Sequence, residues 1–269
     1  MRRWVAILLL FGLLVPSGLL AAGAMPPVDR DQAAPAADFD HTFLLHLPGI
    51  AGERWVDLQM TSGLRDAGYV GPIQTYDWTE NDPGLNALRA YKRNRAEAAR
   101  VADLITAKFR ADPNQRIILT AHSGGTGIVI WALEKLPADV KVDTVVLLSS
   151  ALSPEYDLSA ALSHVSGVCY SFYSENDVLV LATGTKLFGT IDGKYCESAG
   201  EFGFVFPNGG DAKQYEKLVQ KPYDRAYLRY GNIGDHMGPM RRSFSAHILA
   251  PLLFDPAALA QAAASAKRN

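Results

Sequence analysis

Residues 117–127 read IILTAHSGGTG, and how this stretch is divided decides the fold. Ile117 to Thr120 form an apolar, β-branched run that suits a buried strand. The run stops at Ala121-His122-Ser123-Gly124-Gly125, and TGIVIWALEKL, strongly apolar, starts a helix directly after it. A chain that passes from strand to helix within so few residues must turn sharply at Ser123. The flanks of such a turn come close together, and the small residues Ala121 and Gly125 lower the cost of that approach.

The same rhythm of strand and helix extends outward in both directions. Towards the N-terminus, HTFLLHLPGI (41–50) reads as a strand, ERWVDLQMTSGLRDAGY (53–69) as a helix closed by Gly68, and GPIQTYDW (71–78) as a second strand. LNALRAYKRNRAEAARVADLITAKFRAD (85–112) predicts one long amphipathic helix, with Ala98, Val101, Ala102, Ile105 and Phe109 in a single stripe. Towards the C-terminus, VDTVVLLSSAL (142–152), GVCYSFYSEND (167–177) and RAYLRYGN (225–232) read as strands four, five and six. RRSFSAHILAPLL (241–253) reads as the last helix. Several strands are continuous apolar runs, the mark of strands covered on both faces. The prediction is an α/β fold: a mostly parallel sheet with helices on both faces. The Gly-rich stretch between strands five and six reads either as a functional loop or as a surface excursion.

The ends of the chain read differently. MRR, an apolar run interrupted by Pro16, and Ala22-Gly23-Ala24 form the pattern of a secretory signal peptide over residues 1–24 of the 269. The chain is therefore expected to be exported, periplasmic or secreted, with no stable membrane insertion once the segment is removed. An uncleaved anchor is the alternative, opposed by Gly12, Pro16 and Gly18. Residues 25–38 read as a flexible leader, 39–255 as the folded domain and 256–269 as an Ala-rich tail. That leaves roughly 220 residues, enough for one α/β domain with a sizeable core. A formal charge of −2 gives no sign of a nucleic-acid partner. In an exported chain Cys169 and Cys196 suit a single disulfide, and Cys169 suits a buried free thiol equally well. Two cysteines without clustered histidines make no metal site. The basic run Arg89, Lys92, Arg93, Arg95 and Arg100 reads as a solvated helix face.

A serine hydroxyl becomes a nucleophile only with a base in reach, a group that orients the base, and donors for the oxyanion. Ser123 sits where a helix N-terminus directs its partial positive charge. This small-x-Ser-x-Gly turn between strand and helix resembles the nucleophile elbow of the α/β-hydrolase superfamily, and the chain from Phe39 to about Leu253 resembles its small lipase- and esterase-like members, with minimal cap. Alanine at position 121 departs from the usual glycine. The resemblance implies the order nucleophile, acid, histidine. It assigns the acid to Asp177, in Ser174-Glu175-Asn176-Asp177, with Glu175 as competitor. It assigns the base to His236, in Gly234-Asp235-His236-Met237-Gly238. His41, His46, His164 and His247 fall outside that order, and His122 is expected to direct its ring away from the elbow. The resemblance further implies oxyanion donors at the N–H groups of Gly124 and Ile50. Tyr76 and Trp78, at the carboxyl end of the second strand, are candidates to touch substrate. The expected activity is hydrolysis of a small-molecule or lipid-like carboxylic ester through an acyl-enzyme, with no metal or organic cofactor. Amide hydrolysis, acyl transfer and a non-catalytic binding role are the alternatives on the same fold.

Overall fold

Six parallel strands carry the molecule, in the order β2-β1-β3-β4-β5-β6. They are seen in a computed structural model that describes residues 39, 41–80, 84–177 and 189–260. The expected signal peptide and leader lie outside the described residues, as do 261–269 of the tail. In chain order the elements are β1 (Thr42–Leu47), α1 (Trp55–Asp66), β2 (Ile73–Thr75), α2 (Leu85–Arg89), α3 (Tyr91–Ala111), β3 (Arg116–His122), α4 (Gly124–Leu133) and β4 (Val142–Leu148). Then come α5 (Ser159–Ser163), β5 (Val165–Tyr173), α6 (Ala199–Phe202), α7 (Ala212–Tyr215) and β6 (Leu218–Pro222). The chain closes with α8 (Arg242–Phe244), a π turn (Ser245–Leu249) and α9 (Ala250–Leu253).

The strict alternation of side chains along a strand sorts the core into two layers. Phe43, Leu45 and Leu47 of β1, Ile117 and Leu119 of β3, and Val145 and Leu147 of β4 pack on one face with α3 and α4. Leu44, Ile118, Val146 and Leu148 face the other way, towards α1 and α9. The central strands are buried on both faces, as their continuous apolar sequences require. The edge strands β2 and β6 are short and half-buried.

Three expectations are corrected. The sixth strand is LVQKP, not RAYLRYGN: Arg225–Tyr230 is a 3-10 helix capped by the Asp224 carboxylate, which accepts from the Ala226 amide. Its aromatic residues stand three apart, the period of that helix, and Tyr227 meets Phe244 edge-on with centroids 5.1 Å apart. The long helix is two helices, broken at Ala90, where the Asn94 side-chain amide donates to the Ala87 carbonyl at 2.6 Å and takes up a carbonyl freed at the end of α2. In the first part of the expected tail, 256–260 are helical and Leu259 is buried in the α1 layer. Cys169 lies buried in β5 and Cys196 elsewhere, and both are free thiols. Nor is the basic run simply solvated: the Arg95 guanidinium lies 4.0 Å over the Trp131 ring, and Arg100 pairs with Glu80 and Glu97.

α1 approaches α8 at Gly63, where a Cβ would lie 2.2 Å from the Arg242 carbonyl oxygen and 2.6 Å from the Ser245 Cβ. Alanine favours a helix interior over glycine by about 1 kcal/mol, but the obstacle here is backbone. Gly63→Ala is expected to lower the unfolding free energy by about 1–3 kcal/mol, read from the urea midpoint. An unchanged or raised midpoint would show that α8 yields.

Candidate active site

β3 delivers Ser123 to the carboxyl edge of the sheet with φ +50° and ψ −122°. A non-glycine residue held at positive φ stores about 1–3 kcal/mol of strain, so its surroundings must enforce it. They do so through both ends of its peptide. Its N–H donates to the Leu148 carbonyl at 2.9 Å. Its carbonyl accepts from the Thr126 hydroxyl at 2.6 Å and from the amides of Thr126 and Ala151 at 3.1 and 3.3 Å.

The turn is closed from the front by the loop after β1. A Cβ on Gly125 would sit 2.4 Å from the Pro48 carbonyl oxygen, and one on Gly124 would sit 2.7 Å from the Ile50 side chain. Only glycines admit that approach. The loop is held in turn by three donors: the Trp78 indole to the Pro48 carbonyl at 2.7 Å, Gly84 N–H to the Ile50 carbonyl at 2.7 Å, and Glu53 N–H to the Asp77 carboxylate at 3.0 Å. The amides of Ile50 and Gly124 donate no hydrogen bond among the described residues. Two unengaged N–H groups therefore sit on neighbouring residues beside Ser123.

Asp177 and His236, 59 positions apart in sequence, are joined by a hydrogen bond of 2.7 Å between Oδ2 and Nδ1. Both side chains are buried. Burial raises the Asp177 carboxyl above its ordinary range, and the His236 hydrogen bond and charge oppose that rise. Glu175, the competitor, is exposed. The His236 ring lies against His122, centroids 4.8 Å apart, which brings it beside the elbow. Among the described residues neither the Ser123 hydroxyl nor His236 Nε2 makes a hydrogen bond; the contact that links the two sides of the site is the packing of the His236 ring on His122, the residue before Ser123. Hydrogen bonds between a serine hydroxyl and a histidine base often tighten only when substrate is bound.

Tyr76 and Trp78 both have partners within the protein. The Tyr76 hydroxyl donates to Glu97 on α3 at 2.6 Å, and Trp78 is fully buried as the anchor of the Pro48 loop. Two residues that sequence reasoning passed over stand at the centre instead. His122 does not turn away: its Nε2–H donates to the His236 carbonyl at 3.1 Å. The Ser149 hydroxyl donates to the same carbonyl at 3.3 Å. The alternation of β3 was the signal for the first, since Ile118, Thr120 and His122 must share the face turned to α1.

The architecture is α/β, an all-parallel six-stranded sheet with a packed layer on each face. No protein-family model and no curated protein matches the sequence. Solved structures similar to the chain include the esterase domain of a Rhodothermus marinus protein (14% identity, 81% of this chain and 87% of that one, TM-score 0.42). A lipase-esterase related protein from Clostridium acetobutylicum matches at 13% identity over 77% of this chain and 93% of that one, TM-score 0.44. Aspergillus fumigatus lipase B matches at 12% identity over 86% of this chain and 59% of that one, TM-score 0.47. Among the described residues no helix is long and apolar enough to cross a membrane, and no three His, Cys, Asp or Glu side chains gather to hold a metal.

Burial, and then the neighbouring charge of His236, push the His122 imidazole down to about 3. An unfolded chain binds that proton near pH 6.5, so between about pH 6.5 and 3 the unfolded state holds the extra proton and stability falls as pH falls. His122→Gln removes the group that titrates. Its melting temperature is expected to decline less on acidification than that of the wild type, with parallel melting curves across that window as the contrary result.

Proposed function

We propose that the chain is a serine hydrolase that cleaves carboxylic esters, with Ser123 as nucleophile, His236 as base and Asp177 as the group that orients it. The observation that carries this reading is the buried 2.7 Å Asp177–His236 pair, its ring packed on His122 next to a serine held at positive φ. The unengaged amides of Gly124 and Ile50 supply what remains. His236 Nε2 takes the hydroxyl proton as Ser123 Oγ bonds to the carbonyl carbon. The carbonyl π electrons move to oxygen, where the two N–H groups hold them. Asp177 holds Nδ1–H and stabilises the imidazolium. The electrons return, the bond to the leaving alkoxy oxygen breaks, and His236 gives that oxygen its proton. Water then repeats the sequence on the acyl-enzyme and releases the acid. The same steps serve an amide, or transfer to another alcohol when that alcohol replaces water. The N-terminal pattern supports export as the setting, with a small-molecule or lipid-like ester as substrate.

Labelling by a fluorophosphonate probe, together with a panel of p-nitrophenyl esters of graded acyl length, tests this reading. Wild type is expected to label and to turn over at least one ester. Ser123→Ala is expected to lose labelling entirely and to lose turnover on the order of 10⁶-fold, and Asp177→Asn to lose kcat on the order of 10⁴-fold. A folded wild type that neither labels nor turns over any ester would favour the binding role.

A further inference from the structure

The carbonyl of His236 is gripped twice, and the reading above makes no use of either grip. His122 Nε2–H reaches it at 3.1 Å from the end of β3, and the Ser149 hydroxyl at 3.3 Å from the residue after β4. Both donors are buried. Both are themselves fixed: His122 is the last residue of its strand, pressed between the His236 ring and Gly49, and Ser149 is a non-glycine residue at φ +50° whose N–H donates to the Phe172 carbonyl at 3.1 Å. A carbonyl oxygen has two lone pairs, and here each faces a donor, the Ser149 hydroxyl also standing within reach of the Asp177 carboxylate. A side chain whose backbone carbonyl is held at two points can swing only about its own χ angles, and its Nδ1 is held at 2.7 Å by Asp177.

We infer that His122 and Ser149 form a clamp that positions His236, so that its imidazole keeps Nδ1 on Asp177 and Nε2 towards the elbow. This rests on the serine-hydrolase reading and adds two positioning residues to it. A single tautomer of His122 serves the clamp, because a carbonyl only accepts and Nε2 must therefore carry the proton. That tautomer needs the ring to stay neutral. The groups facing it are the His46 imidazole from β1, the Asp57 carboxylate from α1 and the His236 imidazole. His46 already gives Nε2 to Asp57 at 2.9 Å and Nδ1 to the Thr120 hydroxyl at 3.0 Å, so the nearby carboxylate is engaged elsewhere. When His236 takes a proton during turnover, its charge disfavours a second one on His122, and the donor to the His236 carbonyl persists through the step in which the base must not move. Displacements of about 1 Å at a catalytic group cost up to about 10²-fold in rate.

The test compares His122→Leu, His122→Gln and Ser149→Ala in the full chain, each first shown to be folded by its thermal transition. Gln places an amide N–H near the position of Nε2 and keeps the donor. His122→Leu is expected to lower kcat about tenfold or more with KM little changed. It should also move the acid limb of the pH profile to lower pH, because an imidazole that has slipped from its carboxylate holds a proton less tightly. His122→Gln is expected to stay within about threefold of wild type. Ser149→Ala is expected to lower kcat and move the same limb in the same direction. Should His122→Leu fail to fold, Ser149→Ala against wild type decides alone. A folded His122→Leu with wild-type kcat and pH profile overturns the clamp, as does a Ser149→Ala indistinguishable from wild type when it is the deciding variant. A His122→Gln as slow as the leucine variant overturns it too. A second readout needs no turnover. In the Ser123→Ala background the low-field proton resonance of His236 Nδ1–H is expected to survive His122→Gln and to broaden or vanish in His122→Leu. Persistence in the leucine variant defeats the clamp, whereas a wild type that hydrolyses no ester while that resonance behaves as expected defeats only the hydrolase reading.

Discussion

Everything at the site depends on one backbone conformation, the left-handed turn at Ser123. Left to itself the residue would relax out of it. What prevents relaxation is that each polar group of its peptide is already committed: the N–H to β4 through Leu148, the carbonyl to Thr126 and Ala151. These partners belong to the next strand and to the helix that follows, so the turn cannot open without breaking both. Because the turn is tight, the loop after β1 must lie directly on it, and Gly124 and Gly125 leave no side chain in the way. The same closeness sets the Ile50 side chain directly against Gly124, and the amides of both residues donate no hydrogen bond among the described residues. Strain, close packing and the pair of unengaged donors are thus three aspects of a single geometry.

Charge sets the second constraint. The α1 face of the sheet buries His46, His122 and His236 together with Asp57 and Asp177. Unpaired charge in such a place is costly, and the arrangement avoids it by matching rings to carboxylates. His46 bonds to Asp57 and His236 to Asp177, each below 3 Å. Asp57 has a further claim on it, since its other oxygen accepts the Arg54 N–H at the start of α1 at 2.7 Å, a position that favours negative charge. His122 is the odd member. With no carboxylate of its own it stays neutral, and a neutral ring is what the His236 carbonyl requires of a donor.

The sheet and its two layers could be read from the sequence because buried parallel strands are apolar throughout and the helices between them are periodic. The sharp turn at Ser123 could be expected because a strand meets a helix there among small residues, and Asp177 and His236, which the resemblance sets in order along the chain, are hydrogen-bonded to each other. What could not be read depended on distant neighbours. RAYLRY has the composition of a strand, but its tyrosines, three apart, pack on Phe244 and His247 of the last helical segment, and the stretch is a 3-10 helix. The break at Ala90 comes from an asparagine side chain four residues later. Tyr76 and Trp78 stand at the expected end of β2, yet Glu97 and the Pro48 carbonyl, from other segments, take their polar atoms. A sequence states which groups a residue carries, and here the partner decided what each group does.

Register joins the core to the site. His122 lies level with Leu148, and Leu148 with Phe172, so the residues that follow, Ser123, Ser149 and Tyr173, emerge along one rim. Two of them, Ser123 and Ser149, leave their strands at the same φ of +50°. A slip of one residue in β3 would exchange its faces. Ile117 and Leu119 would leave the layer they share with α3 and α4, and at the same stroke the His122 ring would point away from His236. No separate device is needed to aim that ring. The alternation that buries Ile118 beside α1 aims it, so a sequence selected to keep its core apolar also keeps the histidine on the side where the His236 loop arrives.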